Sequence, residues 1–241
     1  MTKYTLKLIQ AVNDWQRGGS VNQKIKRGAA LKEAVAEIPI KFRQTSDRCY
    51  RQITLSEQHL RRVGTKYELL ETVSSWTKCE RIAKDFKGGV PAKGGYQAVI
   101  FSIIPPTGSV ILDLAALYAE EEFQAAVEKY KDHIDAFYDG IDRYRNSQQE
   151  VIIEIDRVSL SALYCWGGYS SPAARLAEMF FCRSPSAQER IWFQKLMAKS
   201  EIQAGAYWLC TPKAVARVNE RLKNFAKHVS AKPIDRRNRR N

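Results

Sequence analysis

Apolar positions set the outline of the chain. Leu8, Ile9, Val12 and Trp15 recur at helical spacing within residues 3–16, and Gly18-Gly19-Ser20 breaks the run. A second helix over 21–36 places Ala29, Ala30, Leu31, Ala34, Val35 and Ile38 on or near its apolar side and stops at Pro39. The period then shortens to two. Cys49–Thr54 has strand character, with Cys49, Arg51 and Ile53 on one face and Tyr50 and Gln52 on the other. Leu70–Thr77 reads as a strand carrying Val73, Ser75 and Thr77 on one face and Trp76 on the opposite one, followed by a helix over Lys78–Phe86. Lys87–Gly95 is a glycine-rich loop. Gln97–Ile104 and Ser109–Leu114 are strands separated by the Pro105-Pro106-Thr107-Gly108 turn, and Ala115–Tyr130 reads as one helix with Glu120-Glu121-Glu122 outward.

After a loop at 138–145, Asn146–Ile155 runs from a turn into a strand. Val151, Ile153 and Ile155 alternate with Glu150, Ile152 and Glu154. The alternation predicts an apolar face against the core and a carboxylate face, with Gln148 and Glu150 pointing the same way at the strand's mouth. An edge strand with a solvated polar face fits the same pattern. Val158–Trp166 is expected to form one more strand, ended by Gly167-Gly168. Residues 172–181, 187–199 and 212–228 read as helices, with Tyr207–Cys210 as buried packing between the last two.

The class is therefore α+β, in a chain of 241 residues that is long enough for one sizeable core plus an extension. No apolar run approaches the roughly 18–20 residues of a membrane span, and no secretory signal pattern opens the chain, so a cytoplasmic location is expected. The five cysteines (49, 79, 165, 182 and 210) contain no CxxC pair, and the three histidines are scattered. Reduced thiols and no metal site are the expectation. The net charge is +13 and uneven: +9 over residues 1–66, −6 over 67–165 and +10 over 166–241. Basic flanks favour a phosphate-rich partner such as RNA or single-stranded DNA, although a surface for an acidic protein has the same signature.

Candidate chemistry sits in three stretches. Arg51, between apolar neighbours, would be partly enclosed and would need an anion, either a phosphate or a carboxylate in a salt bridge. Ser75 and Thr77 bring two hydroxyls along one strand face, a composition that equally suits strand ends and helix caps. Gln148 and Glu150 put an amide and a carboxylate where a strand begins.

In that order, Cys49-Tyr50-Arg51, Ser74-Ser75-Trp76-Thr77 and Gln148-Gln149-Glu150 resemble the Arg–Ser–Glu branch of the ADP-ribosyltransferase superfamily, over roughly residues 40–165. The resemblance implies a two-sheet β core with a cleft for NAD, preceded by helices over 1–39 in a catalytic domain spanning 1–165. A basic helical extension over 166–241, ending in a disordered arginine-rich tail, would follow. By the same resemblance Arg51 holds the NAD phosphates, Ser75 and Thr77 brace the site, Phe86 and Tyr96 are candidates to clamp nicotinamide, and Glu150 accepts a hydrogen bond from the ribose 2′-hydroxyl. Arg43 and Arg48 are alternatives for the phosphate arginine. Gln148 would position the acceptor. Tyr144, flanked by Arg143 and Arg145, has the composition of a base-stacking and phosphate-holding loop. The implied activity is mono-ADP-ribosyl transfer from NAD, without metal, to a nucleic acid, RNA favoured. A toxin of this kind would need a neutralising antitoxin protein. A protein acceptor and a non-catalytic nucleic-acid-binding role are the competing expectations. Arg217, Arg221, Lys223, Lys227 and the terminal arginines would contact phosphate backbone.

Overall fold

The computed structural model describes residues 4–56, 66–69, 71–91, 96–200 and 203–230, with main chain alone at 56, 66, 96 and 225–230. The arginine-rich terminus, expected to be a disordered tail, lies outside the described residues. The class is mixed α+β with a mostly antiparallel sheet. Its seven strands run in the order β5-β6-β3-β1-β4-β8-β9, and β2 pairs with β7 in a separate two-stranded sheet. The strands are β1 (Cys49–Ser56), β2 (Lys66–Glu68), β3 (Val73–Thr77), β4 (Tyr96–Ile103), β5 (Val110–Asp113), β6 (Glu150–Glu154), β7 (Arg157–Ser159), β8 (Leu163–Tyr169) and β9 (Ala206–Leu209). Two compact units divide the chain: residues 1–51, 66–83 and 101–162 in the first, and 52–65, 84–100 and 163–241 in the second.

The first unit is built on helix α1 (Leu6–Gln16) and helix α2 (Val21–Ala34). Thr5 caps α1, its hydroxyl accepting from Leu8 N at 3.2 Å, and Ser20 with Gln23 forms a capping box on α2. Leu8, Ile9, Val12 and Trp15 are buried on the predicted face of α1. They join Leu31, Phe42, Leu112, Phe123 and Ile152 in one apolar cluster, so the helices cover a sheet face. Gly28 of α2 lets the helix approach that face, since a Cβ there would stand 3.1 Å from Val73 and 3.3 Å from the Trp15 ring.

Several elements depart from the sequence reading. The helix expected over Ala115–Tyr130 is two, α4 (Leu114–Tyr118) and α5 (Glu121–Tyr130), with α3 (Glu80–Asp85) earlier in the chain. The break lies at Glu120, whose backbone is extended (φ −84°, ψ 121°) and whose carboxylate reaches Lys41 at 2.6 Å. The strand expected over Val158–Trp166 is also two, because a 3₁₀ turn at Leu160–Ala162 separates β7 from β8. Gly167 and Gly168 continue β8 instead of ending it. A Cβ on Gly168 would come 2.9 Å from the Tyr207 ring of the paired strand, so the glycine makes room for packing.

The second unit pairs β8 with β9 in antiparallel register, Trp166 opposite Leu209. That register brings Cys165 and Cys210 together, and they form a disulfide with a Cα–Cα distance of 4.4 Å. The expectation of unpaired thiols throughout is corrected here: spacing along the chain cannot reveal a cross-strand neighbour 45 residues away. Helices α7 (Ala173–Phe181) and α8 (Ala187–Lys199) bury Ala177, Phe193 and Met197 between them. Helix α9 (Pro212–Ser230) adjoins β8, where Asn219 accepts from the Trp166 indole at 3.1 Å. No helix among the described residues is long and apolar enough to cross a membrane.

Gly140 tests the packing of the first unit. A Cβ at this position would meet Asn13 Oδ1 at 2.4 Å and Asn13 O at 2.5 Å, both on α1. Gly140→Ala is expected to destabilise the protein by about 1–3 kcal/mol, the usual scale of overpacking, in a denaturant titration. Unchanged stability would mean that α1 does not press on this turn.

Candidate active site

Strand β6 lies between β5 and β3, so it is an interior strand and not an edge. Its first four residues are all buried. The helices cover the Glu150 end of the carboxylate face, while the Glu154 side chain stays 39% exposed. Opposite residues of an antiparallel pair share a face, and Thr77 stands opposite Glu150 while Ser75 stands opposite Ile152. Glu150, Ile152 and Glu154 therefore face α1 and α2. Ile152 enters the apolar cluster, and Glu154 reaches Lys32 of α2 at 2.6 Å.

Glu150 is only 6% exposed. Its Oε1 accepts from the Trp15 indole N–H at 2.8 Å. Burial raises its pKa above the ordinary glutamate value, while Ser75, Trp15 and the Arg51 charge pull it back. Burial and the Glu150 charge in turn push the Tyr118 hydroxyl up, and that hydroxyl donates to Gln16 Oε1 at 2.9 Å.

Arg51 lies on β1, one strand beyond β3. Its side chain is 20% exposed. Nη1 donates to the Ser75 carbonyl at 3.1 Å, and Nη2 approaches Glu71 Oε2 at 3.5 Å. Burial lowers the guanidinium pKa, and Glu71, Tyr67 and Glu150 act against that. Glu71 is shared, because Lys24 of α2 bonds its other oxygen at 3.0 Å. Two cations around one carboxylate leave a positive surplus beside Glu150. The alternatives turn elsewhere: Arg48 donates to Ser102 Oγ at 3.2 Å and Arg43 to the Ala36 carbonyl at 3.0 Å.

Thr77 holds backbone. Its hydroxyl donates to the Gln148 carbonyl at 2.7 Å and accepts from Cys79 N at 3.1 Å, joining the end of β3 to the turn before β6 and to the start of α3. Lys78 N adds a bond to the Gln149 carbonyl at 3.1 Å. Gln149 has φ +44°, so the chain turns sharply between Gln148 and Glu150. The two-residue alternation therefore does not run back to Gln148, and the expectation that the two side chains point the same way by strand geometry does not hold. Below this turn, Lys78 Nζ bridges Asp113 at 2.6 Å and Asp47 at 2.8 Å, tying β5 and the approach to β1 to the end of β3.

Tyr144 ends the one-turn helix α6 (Ile141–Tyr144) and is half-buried. Arg143 lies over its ring at 5.3 Å, and Arg145 pairs with Asp142 at 3.1 Å. Phe86 is exposed in a 3₁₀ turn of the second unit, with the Lys87 ammonium 5.6 Å from its ring centre. Tyr96 opens β4, and its side chain lies outside the described residues, as does that of Lys227. Arg217, Arg221 and Lys223 are exposed on α9. Among the described residues no group of three or more His, Cys, Asp or Glu side chains could hold a metal ion.

Trp15, Glu71 and Lys24 escaped the sequence reading. A buried indole N–H needs an acceptor, and that was the available signal for Trp15; nothing in the sequence says that the acceptor lies 135 residues away.

The raised pKa of Glu150 has a thermodynamic signature. The folded protein holds this proton more tightly than the unfolded chain, whose glutamates titrate near 4.3. The stabilising contribution is complete below that unfolded value and is lost as pH rises through the higher folded value. Glu150→Gln keeps the shape and an acceptor for Trp15 but never ionises. Its melting temperature is expected to exceed that of the wild type at pH 8, with the advantage disappearing towards pH 4. A variant that melts lower at pH 8 would contradict this balance.

No family model, curated protein or solved structure matches the chain.

Proposed function

We propose that the protein is a mono-ADP-ribosyltransferase that uses NAD to modify a nucleic acid, RNA in the first instance. The observation that carries this reading is the convergence of Arg51, Ser75 and Glu150 on three neighbouring strands. The guanidinium donates to the Ser75 carbonyl, and Ser75 and the Arg51 charge both favour the ionised form of the Glu150 carboxylate. Residues read from three separate stretches form one polar cluster inside an otherwise apolar layer.

The cluster suits the chemistry. Breaking the nicotinamide–ribose bond leaves positive charge on the sugar, as in glycoside hydrolysis. A fixed carboxylate stabilises charge that appears only in the transition state. Glu150 in its ionised form would also accept from the ribose 2′-hydroxyl. The positive surplus of Arg51 and Lys24 around Glu71 suits the diphosphate of NAD, and a guanidinium can present two parallel donors to phosphate oxygens. Ser75 is exposed whereas Glu150 is buried, so a ligand would approach from the Ser75 side.

On the acceptor side, Gln148 in the turn and Tyr144 beneath Arg143 would hold an unpaired base and its phosphate. In the second unit, the exposed Arg217, Arg221 and Lys223 of α9 offer their own surface for phosphate backbone. A transferase acting on its host's own nucleic acid would require a neutralising protein. One observation favours a second reading. Arg51 is already paired with Glu71, which suits a structural salt bridge in a non-catalytic nucleic-acid-binding protein.

Radiolabelled NAD incubated with the protein and a total cell lysate, then divided among RNase, DNase and protease, separates these readings. Label that is lost with RNase and reduced about 10²-fold or more by Glu150→Gln, the scale for removing one transition-state group, is the expected result. Label lost only with protease would move the acceptor to protein. No label, with intact NAD and folded protein, would favour the binding role. Deleting residues 235–241 should weaken nucleic acid binding, with a shallower salt dependence, and leave NAD hydrolysis in place; unchanged binding would remove the tail from the interface.

A further inference from the structure

Helix α1 carries polar side chains where a purely structural amphipathic helix would not place them. Asn13 is fully buried amid the apolar face. Gln10, Asn13 and Gln16 recur every three residues, and all three bond the main chain of the segment that leads to Glu150. Gln10 Oε1 accepts from Asp135 N at 2.8 Å. Asn13 Nδ2 donates to the Asp135 carbonyl at 2.9 Å, and its Oδ1 accepts from Ile141 N at 2.9 Å. Gln16 Nε2 donates to the Arg145 carbonyl at 2.9 Å. Trp15 completes the series at Glu150. One helix thus grips the segment at 135, 141, 145 and 150.

That segment needs gripping. It contains three non-glycine residues with positive φ: Ala136 at 54°, Arg145 at 40° and Gln149 at 44°. Each is costly for an L-residue and persists only where the surroundings over-determine it. Each also lies at or beside a point of attachment. Asn13 Nδ2 reaches the Ala136 carbonyl at 3.4 Å, Gln16 bonds Arg145, and Trp15 bonds the neighbour of Gln149.

We propose that α1 is the positioning element of the site, with Trp15 orienting the Glu150 carboxylate and Gln16 and Asn13 fixing the Tyr144-bearing loop at a set distance from it. The inference rests on the transferase reading, because it gives α1 control over where an acceptor stands relative to the activated ribose. Trp15 and Gln16 touch neither substrate; they act through Glu150 and through the loop. Trp15 stabilises the ionised carboxylate, and Gln16 links Arg145 to Tyr118, whose ring is buried beside the same carboxylate. A shift of α1 would thus move donor-side and acceptor-side groups together.

Two variants and one spectroscopic measurement on the full chain test this. Trp15→Phe keeps a ring and removes the donor. The acid limb of its pH–rate profile for NAD hydrolysis should move to higher pH, because the carboxylate loses a bond to its charged form. Gln16→Ala frees the Arg145 carbonyl. Its ratio of ADP-ribose transfer to water hydrolysis should fall about tenfold, since small displacements of a reacting partner are costly. In the wild type, the indole ¹⁵N–¹H resonance of Trp15, assigned by its loss in Trp15→Phe, should titrate with pH, and Glu150→Gln should flatten that titration. This last readout needs no turnover. An active wild type with an unmoved acid limb in Trp15→Phe, an unchanged ratio in Gln16→Ala and a flat indole resonance would overturn the positioning role. A wild type that does not turn over NAD, with a titrating Trp15 resonance, would instead overturn the transferase reading and leave the contact between α1 and the carboxylate standing.

Discussion

A carboxylate enclosed by protein is the constraint around which the first unit is arranged. Glu150 opens a strand whose neighbours on both sides are paired, beneath a helix layer, at 6% exposure. Removing a carboxylate from water is expensive unless hydrogen bonds and opposite charge replace the water. Here the replacements come from distant parts of the chain: an indole from α1, a hydroxyl from β3 and a guanidinium charge from β1. Each needs its own support. Arg51 is held by Ser75 and Glu71, Glu71 by Lys24, and the turn before Glu150 by Thr77. These contacts run from Lys24 on α2 through Glu71 and Arg51 to the Ser75 carbonyl on β3. Networks of this kind are strong when complete and costly when one member is missing.

Much of this was legible in the sequence where a local period existed. Strands β1, β3, β4, β5 and β6 follow from alternation, and α1 and α2 from helical spacing ended by glycine or proline. The three chemistry-bearing stretches were visible because polar side chains lie inside or at the opening of strand-like segments, Arg51 and Ser75 within them and Glu150 where a polar turn becomes an apolar run. What failed was whatever depends on neighbours distant in sequence. Glu150 and Glu154 made one face of β6 read as wet, and the helix above it, with Trp15 as partner, makes it dry at Glu150 while Glu154 stays 39% exposed. Gly167-Gly168 read as a stop and proved to be a clearance for Tyr207. Gln148 and Glu150 read as companions on a strand until the left-handed backbone at Gln149 separated them.

The second unit follows a different logic. It holds a disulfide between β8 and β9 and a small core of Ala177, Phe193 and Met197 in α7 and α8, flanked by the exposed rings of Phe180, 5.3 Å from Phe193, and Trp192. Among the described residues the basic side chains of α7, α8 and α9 are exposed, whereas the first unit's Arg51 is largely enclosed beside an acid. Buried and displayed cations serve different ends: the former shape a site and the latter raise the local concentration of a polyanion.

The position of β6 has a consequence for the order in which the first unit is completed. Of the four strands β1, β3, β5 and β6, it is the last to leave the ribosome, yet it belongs between β5 and β3. A nascent chain that has reached residue 149 therefore has two strand edges awaiting a partner, and exposed edges invite pairing with other chains. The polypeptide that fills the gap is the one that begins with Glu150. Structural closure and the arrival of the acid are a single event, so no chain shorter than 150 residues carries the assembled cluster.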